Sequence, residues 1–199
     1  MKRKADRKLL EFNHLSWSKM TAIERGEDVF IERYIEAIPI RSRYIDFGKF
    51  FAECAEEGKS KDFIVDAIVK SLPKGEPEKE FVVEYEKIKI LGYFDRYDKK
   101  ENTIWEFKTG TKLWTDRTLQ ECGQTKLYSF MYWLRYGIIP TIGLYSVETE
   151  YDEDFEEMRA TGRTRKLITQ YQKKDMFLMA KRVVDDYKKI IKVLKSYEQ

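Results

Sequence analysis

The spacing of apolar positions changes twice along this chain, from helical to strand-like and back again. From Ser16 or Ser18, either suited to cap a helix, helical spacing runs on to Ala37, and Pro39 interrupts it. A second helix is predicted from about Asp46 to Glu57, with Phe47, Phe50, Phe51 and Cys54 as its apolar stripe and Gly58 as its end. SKDFIVDAIVKSL predicts a third that stops before Pro73, and the PKGEPEKE that follows reads as a loop. The period then shortens. EFVVEYEKIKI, LGYFDRYD and TIWEFKT, rich in β-branched and aromatic residues with partial alternation, predict three strands.

Residues 117–136 return to helical spacing, with Leu119, Leu127, Phe130, Met131 and Leu134 on one broad stripe and Gly137 closing it. PTIGLYSVETE and RTRKLITQYQ predict two more strands on either side of an acidic stretch. A closing helix runs from about Lys173 to Tyr197, with Met176, Ala180, Val183, Tyr187, Ile191 and Leu194 on one face. So many one-sided elements bury their apolar faces most simply around a mixed central sheet flanked by helices. The expectation is an α/β (α+β) fold in one domain over 1–199. It has a helical part (1–73), a hairpin-centred core (80–172) and a C-terminal helix (173–198).

Composition narrows this picture without redirecting it. At 199 residues, 42% hydrophobic and 15% aromatic, the chain can bury a core although 37% of it is charged. The net charge of +3 permits a polyanionic partner without predicting one; its distribution says more, since MKRKADRK holds five cations in eight residues. Two cysteines and one histidine exclude a four-cysteine zinc or iron–sulfur site and any multi-histidine metal site. They also supply no disulfide framework, so a reducing cytoplasm is the expected location. No apolar run approaches the roughly 20 residues of a membrane span, and no GxxxxGK phosphate loop occurs.

The chemistry concentrates in ILGYFDRYDKKENTIWEFKTG, residues 90–110. On a strand, residues two apart share a face, so Glu106 and Lys108 project together. A four-residue loop, Lys99 to Asn102, would pair Asp98 with Thr103 and so bring Asp95 opposite Glu106; a one-residue slip would put Asp95 beside Trp105 on the wrong face. Two carboxylates in this arrangement favour Mg²⁺, with Mn²⁺ as a substitute, over softer metals. Such an ion can polarise a phosphate and acidify its bound water, which Lys108 could orient or deprotonate. Ile104, Trp105 and Phe107 make the strand half-buried, where charges are costly unless used. Gln124 and Tyr128, four apart on the following helix, form one ridge with Gln120. Arg96, Lys112 and Arg117 are candidate phosphate contacts.

GYFDRYD, WEFKTGT and the helix containing QTKLY together resemble the PD-(D/E)XK nuclease superfamily, in its branch of RecB-like and phage-type exonucleases. The matching features are Gly92 three residues before Asp95, then Glu106-x-Lys108-Thr109-Gly110, then Gln124 and Tyr128. LSWSKM is similar to the serine-x-serine segment of that branch. The resemblance implies a restriction-endonuclease-like core with Asp95, Glu106 and the Phe107 carbonyl as metal ligands. Lys108 would position water, with Gln124 and Tyr128 organising the lysine and substrate. It also implies a further ligand on an early helix, where the branch has a histidine. Here Ala52 and Glu53 follow Gly48, so Glu53 is the expected substitute, with Glu56 and Glu57 as alternatives.

The function implied is a Mg²⁺-dependent deoxyribonuclease, an exonuclease or structure-directed enzyme of DNA recombination, repair or phage DNA processing. DNA is the expected partner. Any helicase or recombination protein would be a separate polypeptide, and assembly into an oligomer stays open. The missing histidine also admits a non-catalytic nucleic-acid-binding module on the same fold, and composition does not separate DNA from RNA as the substrate.

Overall fold

A computed structural model describes residues 13–197. The basic lead at residues 1–8 and the last residue of the expected C-terminal helix lie outside them. Five strands form one sheet in the order β1-β2-β3-β4-β5: β1 (Glu76–Tyr85), β2 (Ile88–Asp98), β3 (Thr103–Gly110), β4 (Thr141–Asp152) and β5 (Glu157–Thr169). Only β3 and β4 are parallel, and the chain between them crosses over through helices α5 (Asp116–Glu121) and α6 (Gly123–Tyr136). Such a connection needs a dozen residues or more, usually helical. The remaining helices are α1 (Trp17–Arg25), α2 (Glu27–Tyr34), α3 (Arg43–Glu57), α4 (Phe63–Ser71) and α7 (Lys173–Tyr197). The mixed sheet flanked by helices agrees with the expected fold class.

The sheet separates two cores. On one side α1, α2, α6 and α7 bury Phe30, Phe94, Leu127, Phe130, Met131, Leu144 and Val183. On the other, α3 and α4 bury Phe47, Phe51, Val65, Ile68, Tyr145 and Val147. None of the helices is long and apolar enough to cross a membrane, among the described residues.

Several boundaries differ from the sequence reading, each for a local reason. The first helix is two helices, because Gly26, at φ 153°, holds a backbone conformation outside the helical region. The first hairpin turns at Glu86 and Lys87, at φ 50° and 63°, so β1 ends at Tyr85 and the IKI expected in it belongs to β2. A turn with positive φ at both central residues is normally marked by Asn or Gly, and this one carries neither. PKGEPEKE, expected as loop, contributes most of its residues to β1; Pro77 is tolerated because β1 is an edge strand. The helix expected over 117–136 breaks at Cys122, whose ψ of 112° is extended. That break removes Gln120 from the ridge of Gln124 and Tyr128 and leaves its side chain on Thr169.

Candidate functional site

The β2–β3 hairpin closes as its loop length predicts: Asp98 pairs with Thr103, Tyr97 with Ile104 and Arg96 with Trp105. There the ladder stops. Farther down β2, the side that β3 has left is taken by Leu15, which accepts from the Leu91 N–H at 2.8 Å and donates to the Lys89 carbonyl at 2.7 Å. Between these two attachments β2 and β3 diverge, and Asp95 and Glu106 sit at the fork. Divergence would leave the Phe107 N–H without a strand partner, a costly state for a buried donor. It donates instead to Asp95 Oδ2 at 2.6 Å. The aspartate therefore replaces a missing rung of the ladder.

Glu106 is 2% exposed, and its two oxygens differ. Oε1 accepts from Lys108 Nζ at 2.5 Å, whereas Oε2 is buried with no hydrogen-bond partner. Lys108 Nζ also donates to Gln124 Oε1 at 2.8 Å, and Gln124 Nε2 donates to the Tyr128 hydroxyl at 2.9 Å. Five of the sequence-derived residues thus lie together: Asp95 at the fork, then the chain Glu106–Lys108–Gln124–Tyr128. Gly92 makes room for the last of these. A Cβ there would lie 2.9 Å from Tyr128 Cε1 and 3.3 Å from Met131 Sδ. Gly92→Ala should cost about 1–3 kcal/mol through this overpacking, read as a lower urea midpoint with an unchanged slope.

The electrostatics follow from burial. Desolvation first, and then the Glu106 carboxylate, push the Asp95 carboxyl up to about 8. Burial also raises Glu106, against the opposing pull of Lys108 and Gln124. For Lys108, burial works to discharge the ammonium, but the adjacent Glu106 outweighs it and the net shift is upward. Tyr128 is held well above its ordinary range by burial and then by Glu106, so it stays protonated.

These groups open onto a cavity of about 290 Å³ lined by Asp95, Glu106, Phe107, Lys108 and Thr109 from the strands and by Gly48, Phe51, Ala52, Ala55 and Glu56 from α3, with Glu78 of β1 at its edge. The donor set fits a small, hard divalent cation. Two carboxylates are forced together, one of them carries a buried oxygen with no partner, and no sulfur or imidazole is present.

Glu53, the expected further ligand, is exposed and does not line this cavity. The reason is helical phase. The α3 positions facing the cavity run Gly48, Ala52, Glu56, and Glu53 is rotated about 100° away from Ala52. Glu56 and Glu78 are the acids at the rim, and the sequence reading did not single out Glu78. Among the described residues no three His, Cys, Asp or Glu side chains converge tightly enough to hold an ion by themselves. Any ion here would keep much of its water. Glu53→Gln should leave Mn²⁺ affinity unchanged in a calorimetric titration while Glu56→Gln weakens it; the reverse order would restore Glu53 as a ligand.

The cationic candidates separate as well. Arg96 donates to the carbonyls of Ala55 at 2.6 Å and Pro73 at 3.3 Å, so it clamps the end of α3 and is not a phosphate contact. Arg117 is exposed and pairs with Glu121 at 3.0 Å; Lys112 is exposed. Trp17 fills the space that a side chain at position 123 would need, and Arg182 stacks on it at 4.6 Å, so LSWSKM packs α1 onto α6 and α7.

No protein-family description matches this sequence, and no curated protein matches it. Solved structures do. A protein from Eubacterium rectale, provisionally designated an exonuclease, superposes with a TM-score of 0.61 at 10% identity, over 94% of this chain and 83% of that one. The phage-related exonuclease from Haemophilus somnus 129PT superposes with a TM-score of 0.57 at 16% identity, over 99% and 90%. The chain has their fold. At such identities the likeness speaks for the path of the backbone and not for the side chains, so the chemistry must be argued from the fork itself.

Proposed function

We propose that this protein is a metal-dependent deoxyribonuclease of the PD-(D/E)XK type, hydrolysing phosphodiester bonds at the fork between β2 and β3. One observation carries the reading: Glu106 Oε2 is buried without a hydrogen-bond partner, beside a second carboxylate that its surroundings disfavour as an anion. Leaving such a group unsatisfied costs about 1–3 kcal/mol, and more when it is charged. A site that keeps such an oxygen beside a second buried carboxylate is built for a counter-charge. Asp95, Glu106 and the Phe107 carbonyl would hold Mg²⁺ or Mn²⁺, which when bound supplies Lewis-acid activation of the phosphate and of an attacking water.

The remaining roles belong to the chain's own residues. Lys108, charged and held between Glu106 Oε1 and Gln124 Oε1, presents its ammonium at the cavity wall, where it can orient water or neutralise a phosphate oxygen. Tyr128 donates nothing to Lys108 directly. It fixes the Gln124 amide, and with it the carbonyl that the lysine points at. The cavity is lined on the α3 side by the small residues Gly48 and Ala52, which leave room for a substrate backbone beside the carboxylates.

Exonucleolytic action, a role in recombination, repair or phage DNA processing, and a separate helicase or recombination partner are finer parts of the same proposal. Incubating the purified protein with linear DNA and Mg²⁺ tests its core: release of nucleotides, abolished by chelation, is the expected result. A protein that binds DNA but never cuts it, with Mn²⁺ or Mg²⁺ present, would leave the non-catalytic binding module in its place. The lack of a third converging acid gives that module its standing.

A further inference from the structure

The wall of the cavity contributed by α3 is a ridge of residues four apart: Gly48, Ala52 and Glu56. One turn farther out, the same ridge continues to Tyr44. Gly48 sits beside Thr109, where an added Cβ would lie 3.5 Å from the Thr109 hydroxyl, so the outer end of the ridge lies toward the C-terminal end of β3. At that end of the neighbouring parallel strand, Arg43 stacks on the ring of Tyr151 of β4 at 4.7 Å. Tyr44 itself is 56% exposed. It makes no ring contact, hydrogen bond or ion pair among the described residues.

A tyrosine presented this way, on a helix and one turn beyond the Gly48 that lines the cavity, has its ring surface available. Arg41, three residues before it, is exposed and has no salt-bridge partner among the described residues. The acid of this segment, Asp46, lines a different cavity with Phe47 and Phe50. Ile40 and Ile45, 50% and 38% exposed, are further exposed apolar residues of the same segment. An aromatic face with an exposed arginine near it in the chain, one helical turn from a cleft proposed to cut phosphodiesters, matches the way single strands are held. The bases stack on rings, and Lys and Arg follow the backbone.

We propose that Tyr44 is a stacking platform for a nucleobase of the strand entering the cleft, with Arg41 on a neighbouring phosphate. This rests on the nuclease reading and adds a preference: the strand is gripped by an unpaired base just outside the fork. A base inside a duplex is stacked on its neighbours and cannot use the platform. A single-stranded end therefore gains contact that a fully paired one lacks.

Binding of single-stranded and blunt duplex oligonucleotides carrying 2-aminopurine, measured with a chelator present so that nothing is hydrolysed, tests this directly. Tyr44→Ala should weaken single-strand binding by about ten-fold, the scale of one lost stacking contact, and should abolish the quenching of 2-aminopurine. Tyr44→Trp should restore both. Because Tyr44 is exposed, the thermal midpoint should not change in either variant. Single-strand affinity and quenching that survive Tyr44→Ala overturn the proposal, and so does an equal loss on blunt duplex, which would mark a backbone contact. If the wild-type protein neither binds nor cuts DNA, the nuclease reading itself has failed.

Discussion

Replacing Asp95 with Asn should make the metal-free protein more stable at pH 8 while abolishing nuclease activity. Burial and Glu106 raise the Asp95 carboxyl from its ordinary value of 3.8 to about 8 in the folded protein. Between those two values the folded state binds a proton that the unfolded state has already lost. Stability therefore falls as pH rises from about 4 to about 8, by up to about 1.4 kcal/mol per pH unit, and levels off outside that window. Asparagine can still accept the Phe107 N–H through its carbonyl, but it carries no charge to be disfavoured. The stabilisation at pH 8 should show as a rise of several degrees in the thermal midpoint. The same substitution removes half of the carboxylate pair, so Mn²⁺ binding by calorimetry should be lost with it. Thermal melts at pH 5 and pH 8 check the sign: the gain should be small at the lower pH and large at the higher. A variant less stable than wild type at pH 8 would mean that Asp95 is satisfied as an anion without a metal.

The second large effect is expected at Lys108. Its ammonium donates to Glu106 Oε1 and meets the Gln124 carbonyl as well. Lys108→Ala should lower the single-turnover rate of DNA cleavage by about 10³-fold, in the range for loss of a positioned acid–base or water-orienting group. Metal binding should respond in the opposite sense to Asp95→Asn. Removing the lysine frees a second Glu106 oxygen, so Mn²⁺ affinity at high pH should hold or rise. With its counter-charge gone, Glu106 should also take up a proton at neutral pH, and metal binding should then release it. Proton release can be read as a dependence of the binding enthalpy on buffer ionisation. Cleavage within a few-fold of wild type in Lys108→Ala would remove the lysine from the reaction.

These two results would separate a working nuclease from a scaffold. In a binding module Asp95→Asn should stabilise in the same way, but neither substitution has a cleavage activity to remove and DNA affinity should be unaffected. In a nuclease both substitutions cut activity, and Asp95→Asn also relieves the instability of the metal-free protein.

The sequence by itself determined the elements whose signals are local. Period-two alternation marked TIWEFKT as a strand, and i, i+4 spacing put Gln124 and Tyr128 on one ridge. A four-residue polar loop set the hairpin register, because the turn and the alternation of faces leave few other pairings. Asp95, Glu106 and Lys108 could be grouped on that basis, and the resemblance to PD-(D/E)XK nucleases tied Gln124 and Tyr128 to them. What depended on more distant parts of the chain could not be read in advance. That β2 and β3 diverge after Arg96 and Trp105 is decided by Leu15, some 80 residues earlier, which occupies the edge that β3 leaves. The phase of α3, which turns Glu56 toward the cavity and Glu53 away, is set by burial of Phe47, Phe51, Cys54 and Ala55 against the sheet, and the phase decides which acid faces inward. Spacing placed two acids near each other. Only the packing of the whole sheet opened the fork, left one Glu106 oxygen buried without a partner, and so turned a charged hairpin into a candidate metal site.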